Sequence, residues 1–210
     1  MVYFSKTPFW AKLVYPSLIW DMPAGDNRLF LTFDDGPHPD VTCYVLSELE
    51  KYNAKATFFC VGENVLKYPR VFQQIVVNGH TVGNHTYNHL NGWKTPAKPY
   101  LENVEKAQQL INGKIFRPPY GKFTSQQYRM IASPRLGLKN VMWSVLSGDF
   151  DKNISSEQCF KNIIKHAVDG SIIVFHDSEK ARQHLEFALP KTLQYFAEKG
   201  FKFEGITVLP

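Results

Sequence analysis

The 210-residue sequence contains little cysteine. Its three cysteines, Cys43, Cys60 and Cys159, are odd in number and far apart. Small proteins that depend on disulfides carry paired cysteines at close spacing, so we expect no disulfide framework here. Cys60 lies in the apolar run ATFFCVG, where a small buried hydrophobic residue is the simplest interpretation.

The sequence also lacks a long uninterrupted hydrophobic run. The stretch PFWAKLVYPSLIW near the N-terminus is interrupted by Lys12 and Pro16 and is too short to span a bilayer. It has no clear cleavage site of small residues, so we expect no integral membrane segment and interpret residues 1–27 as a segment that packs against one end of the fold. A signal peptide or membrane anchor is the alternative. The sequence therefore does not decide the cellular compartment, although it slightly favours the cytoplasm over export or membrane association.

No part of the chain concentrates basic residues. The 24 Lys and Arg outnumber the 19 Asp and Glu and give a formal charge of +5, but they are scattered through the sequence. Proteins that bind nucleic acid usually gather positive charge into a patch or stripe, so we do not expect that class of partner. A mild positive charge is compatible with an acidic glycan or an anionic lipid-linked sugar, because such fields mainly affect encounter rates.

Short apolar runs alternate with longer amphipathic stretches between about residues 29 and 206. This alternation is typical of repeated strand and helix units and predicts a parallel α/β architecture in one barrel-like domain. The predicted strands are residues 29–33, 56–61, 81–84, 114–116, 140–143, 171–175 and a last piece near 201–206. The predicted helices are 41–53, 64–79, 100–113, 155–170 and 186–200. No internal repeat, low-complexity tract or linker marks a domain boundary.

Polar residues follow the predicted strands. Because functional groups of parallel α/β proteins collect at the carboxyl ends of the strands, these residues are expected on one rim. In chain order they are Asp34, Asp35, His85, His89, Arg117, Asp149 and His176.

The segment HTYNH predicts a metal site. On a helical turn, His85 and His89 would place both imidazoles on one face, although a solvated helix face or capping histidines would show the same spacing. Asp35 is the natural third ligand, because two histidines and one carboxylate leave coordination positions open. Asp34-Asp35-Gly36 alone is an ordinary turn signal. Together with the histidines it suggests that one carboxylate binds the cation while the other takes a proton from water.

Five segments resemble, in order and spacing, the motifs of the polysaccharide deacetylases, carbohydrate esterase family 4 with its nodulation-type deacetylase domain. They are TFDDGPHPD (32–40), GHTVGNHTYNH (79–89), RPPYG (117–121), the region around Asp149 and IIVFHD (172–177). The resemblance covers about residues 28–178 and places the catalytic domain at 28–210. It implies a distorted (β/α) barrel with about seven parallel strands. It also implies a divalent metal, usually Zn²⁺, with Co²⁺ or another transition metal as alternatives.

The resemblance also implies roles for individual residues. Asp34 resembles the catalytic base, and His176 resembles the general acid. The metal triad corresponds to Asp35, His85 and His89.

Three further residues would support these groups. Arg117 would pair with Asp34 and hold it in place, and Asp149 would pair with His176 and favour its imidazolium form. Prolines carry no N–H, so Tyr120 offers the first backbone donor after Arg117 and corresponds to the family's oxyanion donor.

One motif departs from the family pattern. The usual DxxDW is Leu146-Ser147-Gly148-Asp149-Phe150 here, so the first acid is a leucine and the final tryptophan a phenylalanine. Phe150 and Val174 are candidates for an apolar site for the acyl methyl group, with a purely structural role as the alternative. Pro119 and Tyr120 are expected to contact the substrate. Tyr87, Asn88 and Trp93 could offer surface to a sugar ring, although aromatic residues near loops are as often packing residues.

The sequence therefore predicts a metal-dependent hydrolase that removes an N-acyl group, taken to be acetyl, from an amino sugar. The partner would be an N-acetylated sugar in a glycan, a peptidoglycan fragment or a lipid-linked sugar. One alternative is a deformylase or other amidase that acts on a lipid-linked amino sugar. The other is a non-catalytic carbohydrate-binding protein on the same fold.

Overall fold

The computed structural model describes residues 3–207. Its eight strands are β1 Arg28–Asp34, β2 Thr57–Cys60, β3 Thr81–Asn84, β4 Ile115–Phe116, β5 Lys139–Asn140, β6 Val145–Leu146, β7 Ile172–His176 and β8 Lys202–Phe203. Its eight α-helices are α1 Phe9–Val14, α2 Val41–Glu50, α3 Gly62–Lys67, α4 Pro69–Val77, α5 Ala97–Ile111, α6 Ser125–Ala132, α7 Ser156–His166 and α8 Arg182–Ala197. Two short 3₁₀ helices span Gly92–Lys94 and Pro119–Gly121.

The strands form a parallel sheet in the order β5-β4-β3-β2-β1-β7-β6, and β8 pairs separately with β1. Seven strands curl into a half-barrel surrounded by helices, which confirms the predicted fold class. In the sheet register Asp34 lies opposite His176 on β7 and Phe59 on β2. The central strand therefore brings two of the predicted site residues side by side at its carboxyl end.

The strand predicted at residues 140–143 is confirmed only at its start: β5 includes Asn140, and Val141 forms a bridge with Ile19, but the strand does not continue to residue 143. A bend separates β5 from β6. Between these two strands, the carbonyls of Val141 and Met142 accept hydrogen bonds from the buried Arg117 side chain. These contacts come from a distant residue, so the apolar run gave no sign of them.

The predicted helix 64–79 is interrupted at Tyr68. Pro69 has no N–H and disfavours helical geometry in the preceding residue, and Tyr68 has φ −125° and ψ 56°. The chain therefore forms α3 and α4. Helices α1 and α6 were not predicted.

The N-terminal segment contacts both edges of the half-barrel. The Thr7 N–H donates to the Ser144 carbonyl at 2.9 Å, and the Leu146 N–H donates to Ser5 at 2.8 Å. At the other edge, the Ile19 N–H donates to Asn140 at 2.9 Å. The division of the chain at residue 28 stays a prediction. Within residues 3–207, no helix combines the length and the apolar composition needed to cross a membrane.

Alternation along β1 separates the core from the site. Leu29, Leu31 and Phe33 face the helices, whereas Thr32 and Asp34 face the inside of the half-barrel. The Phe33 ring lies 5.0 Å from the ring of Phe58 and 5.9 Å from that of Phe175. A stacked aromatic layer thus lies directly behind the carboxyl end of β1 and fixes its position.

Replacing Phe33 with alanine should lower the free energy of unfolding by about 3–5 kcal/mol, because it removes a buried ring and leaves a cavity. Phe9→Ala is the matched control, since the Phe9 side chain is 76% exposed and its loss should change stability by about 0.5 kcal/mol or less. Chemical denaturation of both variants measures the difference. Equal stability of the two variants would contradict the assigned core.

Candidate metal and catalytic site

Three ligand-type side chains converge beyond the carboxyl ends of β1 and β3. The candidate donor atoms of Asp35, His85 and His89 all lie within 4.8 Å of one another. Asp35 Oδ1 is 3.7 Å from His85 Nε2 and 3.1 Å from His89 Nε2. The structure therefore brings together the three residues that the sequence predicted as a metal triad.

The helical turn assumed for HTYNH is wrong. Residues 85–89 form an irregular loop, and Thr86 and His89 have φ values of 66° and 59°. Asp35 also lies in the left-handed region, with φ 80°. Such conformations are costly for residues other than glycine and concentrate at functional sites. The imidazoles thus converge through a strained loop rather than through helical periodicity.

The local hydrogen bonding fits a cation. The His85 Nδ1 lies 2.7 Å from the Arg117 carbonyl, which can only accept, so Nδ1 carries the proton and Nε2 presents a lone pair. Burial lowers the pKa of His85 to about 4, which keeps the imidazole neutral. Within residues 3–207, buried Asp35 Oδ1 has no well-formed hydrogen bond, although His89 Nε2 lies 3.1 Å away. A carboxylate oxygen and an imidazole lone pair thus face each other, an arrangement that a positive ion would stabilise.

The side chain of Asp34 is held by a buried guanidinium. Arg117 Nη1 donates to Asp34 Oδ1 at 2.7 Å and to Thr32 Oγ1 at 2.7 Å. The Arg117 side chain is fully buried, and its guanidinium lies 4.0 Å from the centre of the Phe59 ring. The predicted pair is therefore not a surface ion pair, and it fixes the carboxylate next to the triad.

His176 is held by Asp149 at two points. Asp149 Oδ1 lies 2.7 Å from His176 Nδ1, and Oδ2 accepts the His176 backbone N–H at 2.7 Å. Burial alone would lower the pKa of His176, but the charge and hydrogen bond of Asp149, with the charges of Asp35 and Asp34, raise it to about 9. The imidazole is therefore protonated at neutral pH, with Nε2–H as its second donor.

The RPPYG loop passes over the triad. Tyr120 has φ 62°, and its ring lies edge-on to His89 with the ring centres 4.7 Å apart. Among residues 3–207, no group accepts a hydrogen bond from the Tyr120 N–H. This donor is therefore available to a ligand, whereas the Pro119 side chain is buried.

The two residues predicted to surround the acyl group lie beside His176. The Phe150 ring is edge-on to the His176 imidazole, with the centres 5.2 Å apart. Val174 precedes His176 by two residues on β7, so both side chains face the inside of the half-barrel. Val174 is only 1% exposed, and its contact with a substrate stays a prediction.

Sequence reasoning missed the role of Asp177. Its buried carboxylate accepts the Gly36 N–H at 3.0 Å and the Thr42 hydroxyl, and thereby anchors the loop that carries Asp34 and Asp35. Burial raises the pKa of Asp177 to about 8, and the Asp35 charge adds to the shift. The residue was visible in the segment IIVFHD, but the sequence did not show which way its side chain points.

Comparisons with known proteins identify the family of the chain. The model of the polysaccharide deacetylase family matches residues 21–141. A Bacillus cereus protein named peptidoglycan-N-acetylglucosamine deacetylase is 31% identical over 90% of this chain and 91% of its own length. An Azorhizobium caulinodans protein named chitooligosaccharide deacetylase is 34% identical over 72% of this chain and 74% of its own length.

A solved structure extends the likeness to the fold. It shows the Bc1960 peptidoglycan N-acetylglucosamine deacetylase in complex with 4-naphthalen-1-yl-N-oxidanyl-benzamide. It superposes with a TM-score of 0.82 at 31% identity and covers 95% of each chain. The matched residues, the shared length and the common fold show that this chain belongs to the polysaccharide deacetylase family of hydrolases.

Proposed function

We propose that this protein is a metal-dependent hydrolase that removes the N-acetyl group from an N-acetylglucosamine-type unit of a glycan. The observation that carries the proposal is the arrangement around Asp35, His85 and His89, which the Asp34–Arg117 and His176–Asp149 pairs flank. A site for a cation thus has one carboxylate and one protonated imidazole beside it. The substrate class is taken from the names of the two relatives and of the solved structure.

Asp35, His85 and His89 would hold the metal. Two imidazole nitrogens and one carboxylate oxygen suit Zn²⁺, and Co²⁺ accepts the same donors. When bound, such an ion polarises an amide carbonyl and makes water more acidic. The remaining chemistry belongs to the side chains around the triad.

In this proposal Asp34 acts as the base that takes a proton from the attacking water, while Arg117 keeps its carboxylate in position. The Tyr120 N–H donates to the oxygen on which negative charge develops. His176 gives its Nε2 proton to the departing amine, and Asp149 holds the ring in the correct tautomer. Base and acid would thus work from neighbouring strands, β1 and β7.

Phe150 and Val174 would enclose the methyl group of the acetyl, and Pro119 would support the loop that contacts the sugar. Leu146, which replaces the first acid of the usual motif, is paired with Val174 in the sheet register. An apolar residue in this place makes the surroundings of Val174 less polar. That change favours an acetyl group, which carries a methyl, over a formyl group, which does not.

Metal-loaded protein incubated with N-acetyl and N-formyl glucosamine oligomers should release acetate well above any formate. Enzymatic assays for the two acids measure the ratio. Release of formate alone would support the deformylase alternative. A metal-loaded protein that binds the oligomers but releases neither acid would be a carbohydrate-binding protein, contrary to the proposal.

Asp34→Asn should keep the metal and lower kcat by roughly 10²–10⁴-fold, because asparagine retains an oxygen for Arg117 but cannot take a proton. His89→Ala should lose the metal, because only two ligands remain. Elemental analysis and acetate release measure both effects. Asp26→Asn and His166→Ala are matched controls outside the site and should keep metal and activity. Full activity in either Asp34→Asn or His89→Ala would show that the roles are wrong.

Asp149→Asn should move the alkaline limb of the kcat/KM profile to lower pH. The acid form of His176 is active, so activity is lost as pH rises through its pKa, and a bound cation places that pKa below the metal-free value of about 9. Removing the Asp149 charge leaves burial opposed only by the charges of Asp35 and Asp34, so the pKa of His176 falls by roughly 1–3 units. Asp151→Asn is the control two residues away. An unmoved limb in Asp149→Asn would remove His176 from the role of acid.

A further inference from the structure

Helix α1 is amphipathic in the opposite sense from a helix that packs its apolar face on a core. Phe9, Trp10, Leu13 and Val14 are between 53% and 76% exposed, whereas Ala11 is buried. At about 100° per residue, the four large side chains share an arc of roughly 140° and Ala11 points away from it. The helix therefore packs on the protein through its small residue and presents its large apolar side chains to solvent.

The exposed apolar surface continues on both sides of α1. Before the helix, Lys6 forms a strand-like bridge, and Phe4 and Lys6 face solvent while Thr7 is buried. After the helix, the Tyr15 side chain is 52% exposed. Half of the large apolar side chains that are exposed within residues 3–207 form this apolar patch: Phe4, Phe9, Trp10, Leu13, Val14 and Tyr15. Such a concentration marks an interaction surface.

Positively charged side chains flank the apolar patch. Near its start, partial burial and the charges of Lys165 and Lys6 lower the pKa of His166, so these basic groups lie together. At its end, Tyr15 and the exposed Arg129 line a cavity of about 420 Å³ beside the RPPYG loop. The Lys and Arg side chains that form ion pairs within residues 3–207 are Lys12, Arg28, Lys51, Arg117, Arg135 and Arg182. The flanking Lys and Arg side chains are thus available to an anionic partner.

We propose that the apolar patch docks the protein onto the surface of a bilayer that contains anionic lipids. An apolar surface with Trp and Tyr, flanked by Lys and Arg, has the composition of segments that lie in the membrane interface. The basic groups would meet lipid phosphates, and the apolar side chains would enter the boundary between headgroups and acyl chains. A second copy of the chain fits less well, because a two-fold contact through the patch brings the same positive charges against each other.

The apolar patch is connected to the catalytic site through the residue that precedes it. The Tyr3 ring lies 5.2 Å from the Phe150 ring, which in turn lies 5.2 Å from the His176 imidazole. Phe4, the first residue of the patch, directly follows Tyr3. The segment that docks thus starts at the rim that carries His176, so docking would hold that rim near the lipid surface.

Co-sedimentation with vesicles tests the apolar contribution. The wild-type protein should bind vesicles of phosphatidylcholine with about 30% phosphatidylglycerol. Phe9→Ser with Leu13→Ser should lower the partition coefficient by roughly tenfold or more, because two apolar side chains no longer enter the bilayer. Leu66→Ser with Val77→Ser is the matched control on α3 and α4, since these side chains are 61% and 72% exposed, and it should bind like the wild type. Thermal unfolding shows whether each fold is intact.

The charge contribution has its own readout. Lys6→Gln with Lys165→Gln should lower binding to the anionic vesicles by roughly tenfold and leave the weaker binding to pure phosphatidylcholine unchanged. Lys67→Gln with Lys98→Gln removes the same charge from exposed positions on α3 and α5 and should have little effect. Raising NaCl to about 0.5 M should also weaken wild-type binding, because the Debye length falls to roughly 4 Å.

The fluorescence of Trp10 reports insertion. Tryptophan emission should shift to shorter wavelength with anionic vesicles, and Trp10→Phe should lose most of this shift while it still binds. Unchanged binding of Phe9→Ser with Leu13→Ser, or equal wild-type binding to neutral and anionic vesicles, would overturn the proposal. So would a dimer in analytical ultracentrifugation that Leu13→Ser abolishes, without vesicle binding, since the patch would then join two copies. No measurement requires turnover, so the result is independent of acetate release.

Discussion

The buried guanidinium of Arg117 is the constraint on which the rest of the site depends. Burying a charged group away from water is costly unless the group is paired and hydrogen-bonded. The Arg117 guanidinium makes four hydrogen bonds, to Asp34, Thr32, Val141 and Met142. Those bonds tie the central strand to the bend between β5 and β6. The Arg117 carbonyl also accepts the His85 ring proton, so the same residue positions the base and sets the tautomer of a ligand.

Many residues of the candidate site could be predicted from the sequence, because polar residues after apolar runs identify the rim of a parallel sheet. This rule predicted Asp34 and His176, and the sheet register places them opposite each other. The break between β5 and β6 could not be predicted, because the carbonyls of Val141 and Met142 accept hydrogen bonds from the Arg117 side chain, which is 24 and 25 residues away. Two of the three missed details of the helices were visible locally. Pro69 predicts the break at Tyr68, and Thr124 with Gln127 forms the capping box that begins α6.

Residues of the same type have different roles in the site because their surroundings differ. A regular strand would turn the side chain after Asp34 towards the helices, but the left-handed conformation of Asp35 keeps both carboxylates on one side. Burial gives His85 a pKa of about 4, whereas Asp149 overcomes burial and gives His176 a pKa of about 9. One imidazole is therefore suited to bind a cation and the other to donate a proton. The partners that decide this are distant in sequence, so spacing alone could not assign the two roles.

The N-terminal segment connects the stability of the fold to the shape of its surface. A half-barrel has two edge strands, and their unpaired backbone groups need partners. Lys6 forms an antiparallel bridge with Val145, and Ile19 forms a parallel bridge with Val141, so one segment satisfies both edges. Trp20 directly follows Ile19 and lines the cavity beside the RPPYG loop. The backbone pairing that protects the sheet edge therefore also sets the position of an aromatic wall. The segment thus shapes the surface next to the catalytic site as well as closing the fold.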